Sequence, residues 1–162
     1  MRVAILGSGS WATALAKIVM HNASEINWYI RKQETIDEFI QTRRNPNHLE
    51  WAYFDVSCIH FSADINFTIN QSDLIIVAIP SPYLKEIFNE ITVDMSKKII
   101  ISAVKGMMPD SNILVTDFLH QHFQIPENQL GMITGPCHAE EIAFERLSYL
   151  TIGCSDLSNA NK

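Results

Sequence analysis

Residues 1–17 read MRVAILGSGSWATALAK, and this stretch decides the fold. An apolar run at residues 2–6, of the type that forms a β-strand, leads directly into the G-x-G-x-x-A pattern of Gly7, Gly9 and Ala12. The first glycine permits a tight turn from strand to helix, the second lets the backbone approach a diphosphate, and the small alanine lets helix and strand pack closely. Unpaired N–H groups at the helix start then attract the anion. The stretch therefore predicts a strand, a turn and a helix that bind a dinucleotide.

Composition places the chain among ordinary globular proteins. With 162 residues and 47% apolar content, the chain is long enough to bury one core and has the length of one domain. The net charge of −6 is dispersed, which predicts no nucleic-acid partner. The longest later apolar run, at residues 74–80, is too short to span a bilayer. An odd number of cysteines without C-x-x-C spacing predicts a reducing, cytoplasmic location and no metal site.

Strand-type and helix-type segments alternate along the whole chain. This alternation predicts an α/β fold with a doubly wound, mostly parallel sheet and helices on both faces, formed by residues 1–162 as one domain. Residues 45–57 are predicted to form an irregular crossing segment. The predicted strands are residues 2–6, 26–30, 59–65, 74–79, 98–104, 130–134 and 149–154. The predicted helices after the first one are residues 34–44, 66–71, 83–91, 111–123 and 137–144.

Residues that follow the predicted strands are the candidate ligand contacts. Ligands in such folds bind beyond the carboxyl ends of the strands, so Gly7, Arg31, Pro80, Lys105 and Gly135 are expected to converge on one cleft. The second strand ends in a cation where an acidic residue often binds the adenosine ribose. A cation can face a 2′-phosphate or stack on adenine, which favours acceptance of NADP and leaves NAD open.

Three candidate site residues each have a structural alternative. Trp11 is interpreted as part of the cofactor loop, although a core position is the alternative. Arg31 is either a cofactor contact or a solvated cation at a strand end. Lys105, between an apolar strand and a glycine, can bind an anionic substrate and polarise a carbonyl group as hydride arrives.

The remaining polar candidates are predicted to be structural. Cys137 and His138 are chain neighbours with no third orienting group, which argues against a nucleophile and its base. Glu140 and Glu141 are interpreted as first-turn charges of a helix. The other histidines are interpreted as structural or surface residues rather than ligands: His21, His48, His60, His120 and His122.

Several motifs together resemble one family. They are GSGSWATALA at residues 7–16, Arg31, VAIPS at 77–81, SAVKG at 102–106 and GPCHAEEIA at 135–143. With these motifs the chain resembles the N-terminal, cofactor-binding domain of bacterial NAD(P)-dependent glycerol-3-phosphate dehydrogenase. The resemblance implies a Rossmann-type domain followed by a mostly helical domain. It also implies an oxidoreductase that reduces dihydroxyacetone phosphate to sn-glycerol 3-phosphate with NADH or NADPH for glycerophospholipid synthesis, with a homodimer as the full-length enzyme.

The resemblance also assigns roles to individual residues. The implied cofactor contacts are Gly7, Gly9, Ser10, Trp11, Arg31, Lys105 and Ala139. The implied substrate contacts are Lys105, Gly135 and Cys137. The chain departs from the family at Ala12, where glycine is common, at His48, where an aromatic residue is common, and at Cys137, where Ser or Thr is common.

The main catalytic lysine and the substrate-phosphate ligands of this family belong to the second domain. The resemblance therefore implies that these 162 residues bind cofactor without turning over substrate, with Lys105 in a supporting catalytic role. Two alternatives remain at this point. One is a related β-hydroxyacid or ketopantoate-type reductase, and the other is a non-catalytic dinucleotide-sensing module.

Overall fold

The computed structural model describes residues 1–161, so that Lys162, the last residue of the predicted domain, lies outside the described residues. The strands are β1 (Val3–Leu6), β2 (Ile26–Tyr29), β3 (Ile59–Ser62), β4 (Leu74–Val77), β5 (Ile99–Ser102), β6 (Leu130–Thr134) and β7 (Thr151–Cys154). The α-helices are α1 (Ser10–Met20), α2 (Gln33–Thr42), α3 (Ile65–Asn70), α4 (Ser81–Asn89), α5 (Val115–Phe123), α6 (Ala139–Ala143) and α7 (Leu157–Ala160). None of these helices is long and apolar enough to cross a membrane.

All these strands form one sheet in the order β3-β2-β1-β4-β5-β6-β7. Neighbouring strands are parallel except β6 and β7, which are antiparallel. In the register, Leu6 is level with Tyr29 on one side and with Val77 on the other, so the carboxyl ends of β1, β2 and β4 lie together. The strand order reverses between β1 and β4, which is where doubly wound sheets bind ligands. The predicted fold class is confirmed.

The central strands of the sheet are buried on both faces. The central strands are apolar throughout because each successive side chain enters one of two cores on opposite faces. The first core contains Ile5, Trp28 and Ile76 with residues of α1, α2 and α6. The second contains Leu6 and Ile75 with residues of α3, α4 and α5. The strand ends that form the cleft are therefore held in place by packed hydrophobic cores on both faces of the sheet.

Trp28 connects the first core to the turn after β1. Its ring is fully buried and makes edge contacts with Phe39 and Phe54 at centroid distances of 5.3 and 5.5 Å. Its indole Nε1 donates a hydrogen bond of 2.7 Å to the carbonyl oxygen of Gly7. The apolar core thus fixes the position of the backbone at the glycine-rich turn.

The structure differs from the sequence prediction at several element ends. The helix predicted from residue 111 begins only at Val115, because Met107 and Leu114 form an antiparallel bridge around a turn in which Asp110 and Asn112 have positive φ. The predicted third strand ends early, since the Asp64 side chain accepts hydrogen bonds from the first N–H groups of α3. Helix α6 starts at residue 139 and β7 at residue 151, each two residues later than predicted.

Candidate functional site

Gly7 makes the tight turn that leaves β1. Its φ is +120°, and a Cβ built on it would lie 2.6 Å from the carbonyl oxygen of Ala78. Its N–H donates to the carbonyl oxygen of Tyr29 over 3.1 Å. Any larger residue would both strain the backbone and collide with the strand end next to it. The glycine therefore lets the chain turn between the ends of β2 and β4.

Gly9 precedes α1 and leaves the start of this helix bare. Its φ of −73° and ψ of 175° are open to any residue, and no side chain caps the helix there. A Cβ built on Gly9 would have no heavy atom within 4 Å. The backbone N–H groups of the first turn of a helix have no partner inside the helix, and they attract anions. The open space in front of Gly9 therefore fits the diphosphate predicted from the sequence.

Asn45 forms hydrogen bonds to the backbone and to a side chain at the glycine-rich turn. It is fully buried, and its Nδ2 donates to the carbonyl oxygen of Ser8 and to Thr13 Oγ1, each over 2.8 Å. Thr13 Oγ1 in turn donates to the carbonyl oxygen of Gly9 over 3.0 Å. Buried hydrogen bonds of this kind keep the turn in one conformation. The sequence predicts residue 45 only as part of the irregular segment and gives no signal of these hydrogen bonds.

A cleft with two adjoining cavities opens at the glycine-rich turn. The cavities have volumes of about 420 and 400 Å³. Gly9, His48, Ile79 and Pro80 line both of them. Volumes of this order suit a small ligand or half of a dinucleotide. The shared lining places the bare helix start at the boundary between the two cavities.

The first cavity extends to the end of β2. Its other lining residues include Gly7, Tyr29, Arg31 and Tyr83. In doubly wound folds the adenosine ribose lies at the end of the second strand. This cavity therefore has the position of an adenosine pocket.

The second cavity extends to the end of β5. Ser10, Trp11 and Lys105 line it together with residues 78–82 of the β4–α4 connection. Most of the residues predicted to bind cofactor thus line one of the two cavities. Their lining omits Gly135, Cys137 and Ala139, whose assigned roles stay predictions.

Lys105 contacts both the cofactor loop and the β6–α6 connection. Its Nζ donates to the carbonyl oxygen of Cys137 over 2.9 Å and lies 4.5 Å from the ring centroid of Trp11. The Cys137 side chain itself is buried in the core, so its backbone carbonyl, and not its thiol, meets the ammonium group. Lys105 and Trp11 are thus in contact where they line the second cavity, and Lys105 gives this part of the lining a positive charge.

Trp11 belongs partly to the core and partly to the cleft. Its ring packs against the first core and also lines the second cavity. Its Nε1 is buried and finds no hydrogen-bond partner among the described residues. Both interpretations offered by the sequence therefore describe part of this side chain.

Gly135 and Ala139 lie beyond the cavities. Gly135 is exposed with a φ of +140°, and a Cβ on it would collide with the carbonyl oxygen of Tyr149. Ala139 begins α6 and packs against the first core. The geometry thus explains the glycine at residue 135, and it brings neither Gly135 nor Ala139 into the cleft.

His48, which the sequence predicts to be a structural or surface residue, lies in the cleft. The residue is half-buried, lines both cavities, and its Nδ1 lies 3.3 Å from Ser10 Oγ. It comes from the irregular segment after α2, whose path carries no periodic signal. The available sequence signal was that the family commonly has an aromatic residue at this position; the structure shows the side chain next to the cofactor loop.

Size alone does not identify the cleft. A cavity of about 440 Å³ lies between α5 and the β6–β7 pair, lined by residues such as Asp117, His120 and Cys154. Among the described residues that line it, none was predicted to bind a ligand. The convergence of strand ends on the bare helix start, rather than volume, selects the cleft.

The chain is similar to known proteins over almost its full length. Residues 2–160 match the family model described as NAD-dependent glycerol-3-phosphate dehydrogenase N-terminus. A glycerol-3-phosphate dehydrogenase [NAD(P)+] of Exiguobacterium sp. is 26% identical over 99% of this chain and 47% of its own length. The corresponding protein of Oceanobacillus iheyensis is 29% identical over 98% of this chain and 46% of its own length.

A solved structure of Plasmodium falciparum glycerol-3-phosphate dehydrogenase superposes with a TM-score of 0.83. It is 28% identical, and the match covers 96% of this chain and 46% of that one. The chain spans about half the length of the curated relatives it matches.

Proposed function

The chain belongs to the family of NAD-dependent glycerol-3-phosphate dehydrogenase N-terminal domains, and from this premise we propose that it binds NADH or NADPH for the reduction of dihydroxyacetone phosphate to sn-glycerol 3-phosphate. The family match favours this function over the two alternatives, a β-hydroxyacid or ketopantoate-type reductase and a dinucleotide sensor. The observation that carries the proposal is the bare start of α1 at the boundary of two cavities.

In this proposal the backbone binds the diphosphate. The N–H groups of Ser10 and Trp11 donate to its oxygens, and Gly9 leaves room for it. A helix dipole stabilises an anion by roughly 0.3–1 kcal/mol at an exposed site and up to about 2 kcal/mol where partly buried. No charged side chain is needed at this point of the cleft. The cavity at Tyr29 and Arg31 then takes the adenosine half.

The cavity at Trp11 and Lys105 takes the nicotinamide half. When bound, the cofactor supplies the hydride, while the protein positions and polarises the substrate. Lys105 binds the anionic substrate and places its ammonium group beside the substrate carbonyl oxygen, where negative charge develops. The carbonyl of Cys137 holds that ammonium group in place. The proton donor and the substrate-phosphate ligands are proposed to lie in a second, helical domain, so residues 1–162 bind cofactor without turnover.

The same proposal extends to the use of the product, the location of the protein and the assembly of the full-length enzyme. The product supplies glycerophospholipid synthesis, the protein is cytoplasmic, and the full-length enzyme is a homodimer without a nucleic-acid partner. The cytoplasmic location is supported by Cys58, Cys137 and Cys154, which are all free thiols.

Titration of the purified chain with NADH and with NADPH tests the proposal. Nicotinamide fluorescence and heat of binding are measured, with circular dichroism as the control for folding. We expect saturable binding of one or both nucleotides at one site. A folded sample that binds neither of them would contradict the proposal.

A further inference from the structure

Arg31, the cation at the end of β2, already has an anionic partner. Its guanidinium Nη1 lies 3.4 Å from Glu86 Oε1 on helix α4. The two side chains are 50% and 64% exposed. Arg31 lines the first cavity, and Glu86 directly precedes Ile87, which also lines it. Arg31, the arginine that lines this cavity among the described residues, is therefore engaged by a carboxylate.

The charges that act on Tyr29, which lines the same cavity, are mostly negative. Tyr29, at the end of β2, has its pKa raised chiefly by burial, and next by the charge of Glu90. Asp64 and Glu86 raise the pKa further, and Arg31 lowers it. Three carboxylates and one guanidinium thus act on the Tyr29 side chain. The other nearby cation, Lys32, is exposed at the start of α2 and does not line this cavity in the described part of the chain.

We propose that Glu86 is a specificity-determining residue, which pairs with Arg31 and opposes a 2′-phosphate so that this chain binds NADH in preference to NADPH. The inference rests on the proposed function and adds a choice of cofactor to it. The sequence alone favours acceptance of NADP, because it shows the cation at residue 31 but does not show that Glu86, 55 residues along the chain, is its partner.

The two cofactors differ by one group at the adenosine ribose. NADH presents a neutral 2′-hydroxyl, whereas NADPH presents a phosphate dianion that arginine binds best when its guanidinium is free. NADPH must therefore break or share the Arg31–Glu86 pair and approach a carboxylate, and NADH does neither. An exposed ion pair and a screened repulsion are both modest, so we expect Glu86 to shift the ratio of the two affinities by roughly threefold to tenfold.

Glu86→Gln tests the proposal, since it keeps the shape of the side chain and removes its charge. Glu38→Gln is the matched control, because Glu38 is an exposed acid of helix α2 that forms no ion pair with Arg31 in the described part of the chain. The dissociation constants of NADH and NADPH are measured for each variant and for the unsubstituted chain. Adenosine 5′-monophosphate and adenosine 2′,5′-bisphosphate are measured as probes of the 2′ position alone.

We expect Glu86→Gln to tighten NADPH and adenosine 2′,5′-bisphosphate relative to NADH and adenosine 5′-monophosphate, and Glu38→Gln to leave both ratios unchanged. In an Arg31→Ala background the effect of Glu86→Gln should shrink, because Glu86 acts in part through Arg31. An unchanged ratio in Glu86→Gln, or an equal change in Glu38→Gln, would overturn the proposal while leaving the proposed function intact. A chain that binds none of the four nucleotides contradicts both.

Discussion

Gly9→Ala tests whether residue 9 is glycine because the ligand needs the space, in contrast to Gly7, which the fold itself requires. In the free protein the added methyl group meets no heavy atom within 4 Å, and the backbone angles at Gly9 suit alanine. Alanine lowers the entropy of the unfolded chain, which stabilises a protein by roughly 0.4–1 kcal/mol, and it is a poorer helix cap than glycine, which offsets part of that gain. We therefore expect the free energy of unfolding to change by less than about 1 kcal/mol.

The bound state responds differently, because the methyl group occupies the space in which the diphosphate approaches the start of α1. Displacement of the diphosphate costs at least one charge-assisted hydrogen bond, worth roughly 1.5–3 kcal/mol, which corresponds to NADH binding about tenfold to a hundredfold more weakly. The assay is a fluorescence titration with NADH, paired with urea denaturation of the same sample.

Gly153→Ala is the matched control for this prediction. A Cβ on Gly153 would make only an ordinary contact of 3.7 Å with Met132 Cγ, and the residue lies in the edge strand β7. Both affinity and stability should stay near those of the unsubstituted chain. Unchanged NADH affinity in Gly9→Ala, or a weakening that Gly153→Ala reproduces, would refute the reasoning.

Two further substitutions test the framework of the cleft, and a third tests a carboxylate at the opposite, amino-terminal edge of the sheet. Asn45→Ala leaves Ser8 O and Thr13 Oγ1 without their buried donor, and should lower the free energy of unfolding in urea by roughly 1–3 kcal/mol; a smaller loss would mean that water replaces the amide. Lys105→Met should weaken NADH several-fold in fluorescence titration and leave ADP binding unchanged, whereas equal losses would place Lys105 outside the nicotinamide half. The backbone N–H of Arg2 holds the pKa of Asp73 below its usual value, so its carboxylate stabilises the fold at neutral pH and this contribution is lost as the pH falls through the lowered pKa. Asp73→Asn should therefore lower the thermal midpoint at pH 7 and match the unsubstituted chain in strong acid; a constant difference at all pH values would contradict this assignment.

The fold was predictable because its elements carry local signals. The strands of the central sheet are continuous apolar runs that end in glycine, proline or a polar residue, as Leu74–Val77 ends before Pro80. The start of α5 was not predictable from periodicity. Ile113 and Leu114 have helical spacing relative to Phe118 and Leu119, but the pairing of Met107 with Leu114 keeps Leu114 extended and outside the helix.

The candidate site was predictable where it depends on strand ends and not where it depends on long-range packing. Gly7, Gly9 and Lys105 follow strands or begin a helix, so topology alone brings them to one edge of the sheet. Asn45 and His48 reach the same place from an irregular segment. Their contacts join residues 37 and 38 positions apart, and no local pattern encodes such a path.

The central claim is that the backbone at the start of α1 binds the diphosphate of a nicotinamide dinucleotide. A crystal structure of the chain with NADH tests it most directly. We predict diphosphate oxygens within hydrogen-bonding distance of the N–H groups of Ser10 and Trp11, with adenosine beside Arg31 and nicotinamide beside Lys105. A dinucleotide bound elsewhere, for example between α5 and β7, with the space in front of Gly9 filled by side chains, would contradict the account.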